Sequence, residues 1–236
     1  MVGIMTIKII AFADVHGMQY LSMLISSLNR INVKNVDFIV MAGDIVDKGR
    51  IEYMRVVLSV LQKLFPHIYS RPIVIAVFGN EEYFGTEENY YSAYPQVIWL
   101  NNSYRIVKLD DFEICFVGDR GVLKKPTTWQ QRNIKGIENI YSRNLGNIIN
   151  MVRACKKDYY TILITHYASS YLTIFGENPS IYHFLGYPII EGMDIKPDIA
   201  IHGHAHNSQK TEANINGTAI YNVSIPANKG VKLITI

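Results

Sequence analysis

The sequence predicts an α/β fold in which two packed sheets carry helices on their outer faces. Three observations support this. Apolar, β-branched runs at 7–13, 38–41 and 73–78 show no polar alternation, so the strands they form have both faces covered. Between these runs lie stretches with helical spacing, which is how parallel strands are joined. After residue 97 the pattern changes to shorter strand-like segments, and Asp110 and Asp111 form a hairpin-like turn that marks entry into a second sheet.

Taken in order, strand 7–13 feeds an amphipathic helix over 19–31, where Leu21, Leu24, Ile25, Leu28 and Ile31 recur on one face. Strand 38–41 leads to a second helix at about 51–65, stopped by Pro66, and strand 73–78 follows. Short strands are expected at 97–100, 105–109 and 112–117. Residues 119–136 hold Gly, Pro, Lys and Gln without periodicity and read as a loop over the site, whereas Ile137–Cys155 reads as a helix. Strands near 161–164, 199–201, 219–223 and 231–236 complete the pattern. No repeat, low-complexity tract or linker divides it, so residues 1–236 are expected to form one domain.

With 236 residues, 49% hydrophobic and 18% charged, the chain can bury a sizeable core and is not of the disordered class. A net charge of +3 exerts only a mild pull on anions, and nucleic-acid binding would need a clustered basic surface. Lys124-Lys125 and Lys156-Lys157 are too short for patches and read as solvated faces. No apolar run approaches the roughly 18 residues of a membrane span. The apolar start at 1–13 lacks the basic region and cleavage site of a signal peptide and runs directly into Asp14. Cys115 and Cys155 do not resemble a disulfide framework, so free thiols in a reducing cytoplasm are expected.

Five short motifs then place oxygen and nitrogen donors at the ends of apolar runs: Asp14-Val15-His16, Gly43-Asp44-Ile45-Val46-Asp47, Gly79-Asn80-Glu81-Glu82, Thr165-His166 and Gly203-His204-Ala205-His206. The carboxyl ends of strands form the mouth where open α/β sheets bind ligands. Asp14 and His16, two residues apart, point the same way if strand geometry continues, and Gly43 lets the backbone turn sharply before Asp44. Carboxylate, imidazole and carboxamide suit divalent manganese, zinc and iron, and a pair of such ions is a device for in-line displacement at phosphorus. Taken singly, each motif has a plainer reading as a polar turn, a helix cap or a satisfied core histidine. Five in sequence order make chance implausible. His202 reads as a supporting or a structural residue, and His67 and His183 match no motif.

In this order the motifs resemble those of the calcineurin-like metallophosphoesterases, over residues 14–206. The resemblance implies the family's α/β-β-α sandwich of two mixed sheets flanked by helices. It also implies two divalent metal ions, manganese foremost, with iron, zinc or nickel as alternatives. It assigns Asp14, His16, Asp44 and His206 to one ion and Asp44, Asn80, His166 and His204 to the other. Asp44 would bridge them, with a hydroxide between the ions as the attacking group. The catalytic set read this way is Asp44, Asn80, Glu81 and Asp47.

One position departs from the family. Where it places a histidine after Gly-Asn, this chain has Glu81, which cannot offer positive charge to a developing oxyanion. Glu81 could act as a general acid if the nearby Asp47 raised its pKa; its plainer role is to turn the chain. Glu82 takes the place of the family's following acid. In the insertion 167–198, Tyr167, Tyr171, Phe175, Tyr182, Phe184 and Tyr187 read as a small loop core or subunit contact ahead of a base-stacking surface. Arg120, Lys124 and Lys125 are candidates to reach the phosphate. The expected activity is a phosphodiesterase acting on a nucleotide or nucleic-acid-type diester in the cytoplasm, with no membrane partner. A phosphomonoesterase or protein phosphatase, and a metal-poor binding scaffold of the same fold, are the alternatives, and a homodimer is left open.

Overall fold

Strands form where the apolar runs predict them. In the computed structural model, which describes residues 6–31 and 34–236, the first half alternates β1 (Lys8–Phe12), α1 (Leu21–Leu28), β2 (Phe38–Ala42), α2 (Glu52–Leu64), β3 (Ile73–Val77), α3 (Glu87–Ala93) and β4 (Ile98–Trp99). The antiparallel pair β5 (Ser103–Leu109) and β6 (Phe112–Asp119) opens the second sheet. Next come α4 (Thr128–Asn133), α5 (Ile137–Cys155) and β7 (Tyr160–Thr165), then two single-turn helices, α6 (Tyr182–Leu185) and α7 (Ile189–Gly192). The chain finishes with β8 (Ile199–His202), β9 (Glu212–Ile215), β10 (Thr218–Asn222), α8 (Ile225–Asn228) and β11 (Lys232–Thr235). Of the apolar start at 1–13, residues 1–5 lie outside the described part.

The two sheets have the orders β11-β1-β2-β3-β4 and β5-β6-β7-β8-β10-β9. Strands β1 to β4 are parallel and β11 is antiparallel to β1; β6, β7, β8 and β10 are parallel, with β5 and β9 antiparallel at the edges. Both sheets are therefore mixed. Their facing sides share a core containing Ile9, Phe38, Val40, Ile75, Phe116 and Ile164. The far side of the first sheet packs on α1 and α2 through Leu24, Leu28, Met54, Val57 and Leu61, and the far side of the second packs on α5 through Tyr141, Ile148 and Val152. Each fully buried aliphatic side chain of this kind contributes roughly 1.5–3 kcal/mol. Helix, sheet, sheet, helix is the α/β-β-α order.

Helix limits follow local chemistry. Helix α1 begins only at Leu21 because residues 16–20 form turns, with His16 and Gly17 at positive φ. Helix α2 ends at Leu64, just before Pro66, whose ring disfavours helical backbone in the preceding residue. Helix α5 buries Tyr141, Asn144, Ile148, Val152 and Cys155 at helical spacing.

Two expectations are corrected. Segment 119–136 is not all loop: α4 starts with a full capping box, in which Thr127 accepts from the Gln130 N–H and the Gln130 side chain accepts from the Thr127 N–H. The cysteines are not free thiols: Cys115 on β6 and Cys155 at the end of α5 form a disulfide, their Cα atoms 5.9 Å apart. Sequence separation concealed a pair that the packing of α5 on β6 brings together. Among the described residues, no helix is long and apolar enough to cross a membrane.

Candidate metal centre

Every candidate donor lies just past the carboxyl end of a strand. Asp14 and His16 follow β1, Asp44 follows β2, Asn80 and Glu81 follow β3, His166 follows β7, and His204 and His206 follow β8. Because β1, β2 and β3 are neighbours in one sheet and β7 and β8 in the other, packing the sheets face to face brings five loops to one edge. Main-chain hydrogen bonds fix the loops to one another: Asp14 N–H donates to the Gly43 carbonyl, His16 N–H to that of Asp44 and Gly203 N–H to that of His166, each at 3.0 Å.

Four of these donors occupy left-handed backbone: Asp14 (φ 61°), His16 (47°), Asp44 (51°) and His204 (69°). Non-glycine residues hold such conformations at a cost of roughly 1–3 kcal/mol each, and strain of this kind gathers at functional sites. Close approach accounts for two glycines. A Cβ on Gly79 would sit 2.1 Å from Asp44 Oδ1, and one on Gly43, itself at φ 85°, would sit 2.7 Å from His166 Nδ1.

The side chains form overlapping groups. Donor atoms of Asp14, His16 and His206, of Asp44, His166 and His204, and of His16, Asp44 and Glu81 each lie within 4.8 Å of one another. Asp44 Oδ2 is 3.4 Å from His166 Nε2 and 3.8 Å from His16 Nε2. Asn80 Oδ1 and His204 Nδ1 are each 3.1 Å from His166 Nε2. The outward nitrogens are already engaged: His166 Nδ1–H donates to the Ala42 carbonyl at 3.0 Å, and His204 Nε2–H to that of Phe184 at 3.2 Å. Imidazoles tied to a backbone carbonyl on one nitrogen and turned inward on the other are arranged as metal ligands are.

Fully buried Asp14 Oδ1 makes no hydrogen bond, although His206 Nε2 is 3.1 Å away. A buried carboxylate oxygen set among inward-facing imidazole nitrogens fits divalent cations, as does the donor set as a whole. The electrostatics agree. Burial pushes the Asp14 carboxyl up, but the His206, His166 and His16 imidazoles outweigh it and hold the group well below the usual carboxylate range. Burial pushes His166 down, but Asp44 and Asp14 outweigh it and hold the ring at about 9, so His166 must release a proton when a cation takes its Nε2. Burial and the neighbouring His166 depress His204 to about 4, leaving it the neutral imidazole that a ligand must be.

Glu82 shapes the floor. Its carboxylate, only 2% exposed, accepts the N–H groups of Gly79 (2.7 Å), Ile45 (2.8 Å), Asp44 (2.9 Å) and Val46 (3.1 Å). Glu81 accepts the Lys48 N–H at 2.6 Å, while its own N–H donates to Asp44 Oδ1 at 2.7 Å. Asp44 is thereby left with Oδ2 facing both groups of donors.

Three sequence expectations need correction. The Asp47 carboxylate is paired with the Arg50 guanidinium, which offsets its charge, and among the described residues it belongs to none of the donor groups. Arg120 is buried, donating to the Glu82 carbonyl at 2.7 Å and to Glu87 at 3.1 Å, so it is not free to reach a phosphate. Lys124 and Lys125 are exposed and line a separate surface depression with Tyr141 and Tyr187. His202 is structural: it is buried, Nδ1–H donates to the Gly203 carbonyl and Nε2 bonds Thr173 Oγ1 at 2.6 Å.

Beside the donors opens a cavity of about 320 Å³, whose lining includes Asn80, Glu81 and His204. Its walls also include Tyr83, Phe84 and Trp129, residues the sequence reading passed over. The T-x-x-Q capping box at 127–130 was the signal that could have placed Trp129 on a helix. Of the insertion aromatics, Tyr171 and Tyr182 pack into a small core around Ile174 and Leu185, while Tyr167 and Phe184 line the cavity.

An α/β-β-α sandwich with these donors at its strand ends defines a metal-dependent hydrolase. Residues 7–208 match the calcineurin-like phosphoesterases, and the chain belongs to that family of metal-dependent enzymes acting on phosphoric esters. No curated protein sequence matches the chain. Among solved structures, it is similar to the phosphopantetheinyl hydrolase from Mycobacterium tuberculosis, with a TM-score of 0.65 at 14% identity, over 94% of this chain and 90% of that one. It is also similar to a putative 5′-nucleotidase from Staphylococcus aureus, with a TM-score of 0.62 at 12% identity, over 98% of this chain and 51% of that one. A third likeness is to the NAD nucleotidase of Haemophilus influenzae, with a TM-score of 0.57 at 13% identity, over 98% of this chain and 47% of that one. At such identities the likeness is one of fold.

Proposed function

We propose that this chain is a phosphodiesterase for nucleotide or nucleic-acid-type diesters, working with two divalent ions, manganese foremost. The observation that carries this reading is the position of Asp44 Oδ2, 3.4 Å from His166 and 3.8 Å from His16, within reach of both groups of donors. Asp14, His16, Asp44 and His206 would hold one ion, and Asp44, Asn80, His166 and His204 the other. When bound, such ions supply positive charge to phosphoryl oxygens and acidify water. The chain's own part is to hold the donors rigid, with Asn80 as the neutral one. Asp14, Asp44 and Glu81 against two divalent ions leave a net charge of about +1, of the sign that attracts a phosphate ester.

Glu81 favours a diester over a monoester. Its carboxylate lies within 4.8 Å of the His16 and Asp44 donors and lines the adjacent cavity. A phosphomonoester carries nearly two negative charges at neutral pH and is repelled more than the single charge of a diester. Among the described residues, no Lys or Arg lines the adjacent cavity to offset this. With manganese present, bis(4-nitrophenyl) phosphate should be hydrolysed faster than 4-nitrophenyl phosphate. Glu81→Gln should narrow the ratio by raising monoester turnover. Faster monoester turnover in the native protein would contradict the reading, whereas a loss in Glu81→Gln confined to esters with poor leaving groups would identify Glu81 as a general acid.

A further inference from the structure

We propose that the cavity beside the candidate metal centre is a nucleobase site, in which Trp129 and Tyr83 bind the base by stacking. The inference rests on the phosphoesterase reading above and narrows it to esters that carry a base. Asn80, Glu81 and His204 are part of its lining, so a group seated in it adjoins a phosphorus held at the donors. Among the described residues no Lys or Arg lines it, and the buried Arg120 is engaged by the Glu82 carbonyl, by Glu87 and by the Phe84 ring 4.0 Å away. The cavity therefore suits a neutral group, and Glu81 in its lining excludes a second anion.

Its aromatic walls suit a flat group. Trp129 is 58% exposed and Tyr83 39%, and their rings are 6.3 Å apart with planes 34° from parallel. Two half-open aromatic faces beside a polar centre offer a base more than they offer a flexible chain, since each face gains by being covered with another π-surface. The backbone that carries the indole is also fixed in advance. Helix α4, which carries Trp129, is locked by its capping box, and Gln130 Nε2–H donates to the Tyr167 hydroxyl at 2.9 Å, tying the helix to the residue next to His166. A wall ordered before binding loses little entropy when the ligand arrives. Gln130 and Thr127 use their capping groups on one another, so little remains to read base edges. Stacking area should decide affinity, with purines ahead of pyrimidines and adenine close to guanine.

The test compares adenosine 5′-monophosphate with ribose 5-phosphate as inhibitors of manganese-dependent hydrolysis of methyl 4-nitrophenyl phosphate. In the native protein the nucleotide should inhibit about tenfold more tightly, the equivalent of about 1.4 kcal/mol. That ratio should collapse toward one in Trp129→Ala and persist in Trp129→Phe, which keeps an aromatic face. Equal inhibition by the two compounds in the native protein, or an unchanged ratio in Trp129→Ala, overturns the proposal. A second arm omits the metal: adenosine should quench the tryptophan fluorescence of the chelator-treated protein but not of Trp129→Phe. If adenosine quenches and no diester is hydrolysed, the base site stands and the phosphoesterase reading fails. If diesters are hydrolysed and adenosine neither quenches nor binds, the base site fails and the phosphoesterase reading stands.

Discussion

Asp44 concentrates the chemistry of the site in one side chain. Left-handed backbone at φ 51° aims its carboxylate inward, Glu81 N–H fixes Oδ1 at 2.7 Å, and Oδ2 is left between His166 and His16. Asp44→Asn keeps volume and shape but removes the negative charge on Oδ2. It should cut hydrolysis at least a hundredfold and weaken manganese binding measured by calorimetry, with the melting temperature little changed; a variant keeping a tenth of native activity would remove Asp44 from the bridging position. At this scale the donors were legible because their types and spacing are local facts. The partner of Arg120 was not, since Glu87 lies 33 residues away in sequence, whereas Arg50, three residues beyond Asp47, is as local as the donors and was passed over.

Between elements, buried carboxylates do the joining. Glu82 gathers the N–H groups of Gly79, Asp44, Ile45 and Val46, linking the loops after β3 and β2. Each buried donor left unsatisfied costs about 1–3 kcal/mol. Glu82→Ala should therefore lose at least about 3 kcal/mol, a fall in melting temperature of roughly 6–12 °C for a chain of this size; a loss under about 1 kcal/mol would show that water replaces the carboxylate. Asp119, fully buried at the end of β6, accepts the Gly121 N–H at 2.7 Å and the α5 side chain Asn144 at 3.2 Å. Burial outweighs these bonds and raises its pKa from 3.8 to about 6. The sign follows from proton counts: between pH 4 and 6 the unfolded carboxyl has released its proton while the folded one keeps it, so stability falls as pH rises through that window and is flat above it. Relative to native protein, Asp119→Asn should gain stability across this window, by up to about 3 kcal/mol at pH 7. Urea titrations at several pH values check this, and a native-to-variant difference independent of pH would contradict it. Long helices and central strands were legible because many residues repeat one period. Helices α3 and α4, of seven and six residues, carry too few repeats to stand out: α4 depends on its capping box, and α3, which has no side-chain cap, on Tyr90 packing against Phe78 and Trp99.

At the scale of the whole molecule, two sheets pack so that their carboxyl-end loops share one edge, and the strain of four left-handed donors is held by the core beneath them. The sandwich was legible in the order of apolar runs and motifs. The disulfide from Cys115 to Cys155 was not, because it depends on α5 lying across β6, a contact between residues 40 apart in sequence. The central claim is that the gathered donors hold a pair of ions that share Asp44. The direct measurement is a crystal structure of manganese-supplemented protein with anomalous scattering collected for the metal. Two anomalous peaks about 3.5 Å apart, one beside Asp14 and His206 and the other beside His166 and His204, with Asp44 between them, are the predicted result. Absence of any peak among these residues, or a single peak that Asp44 does not touch, would contradict it.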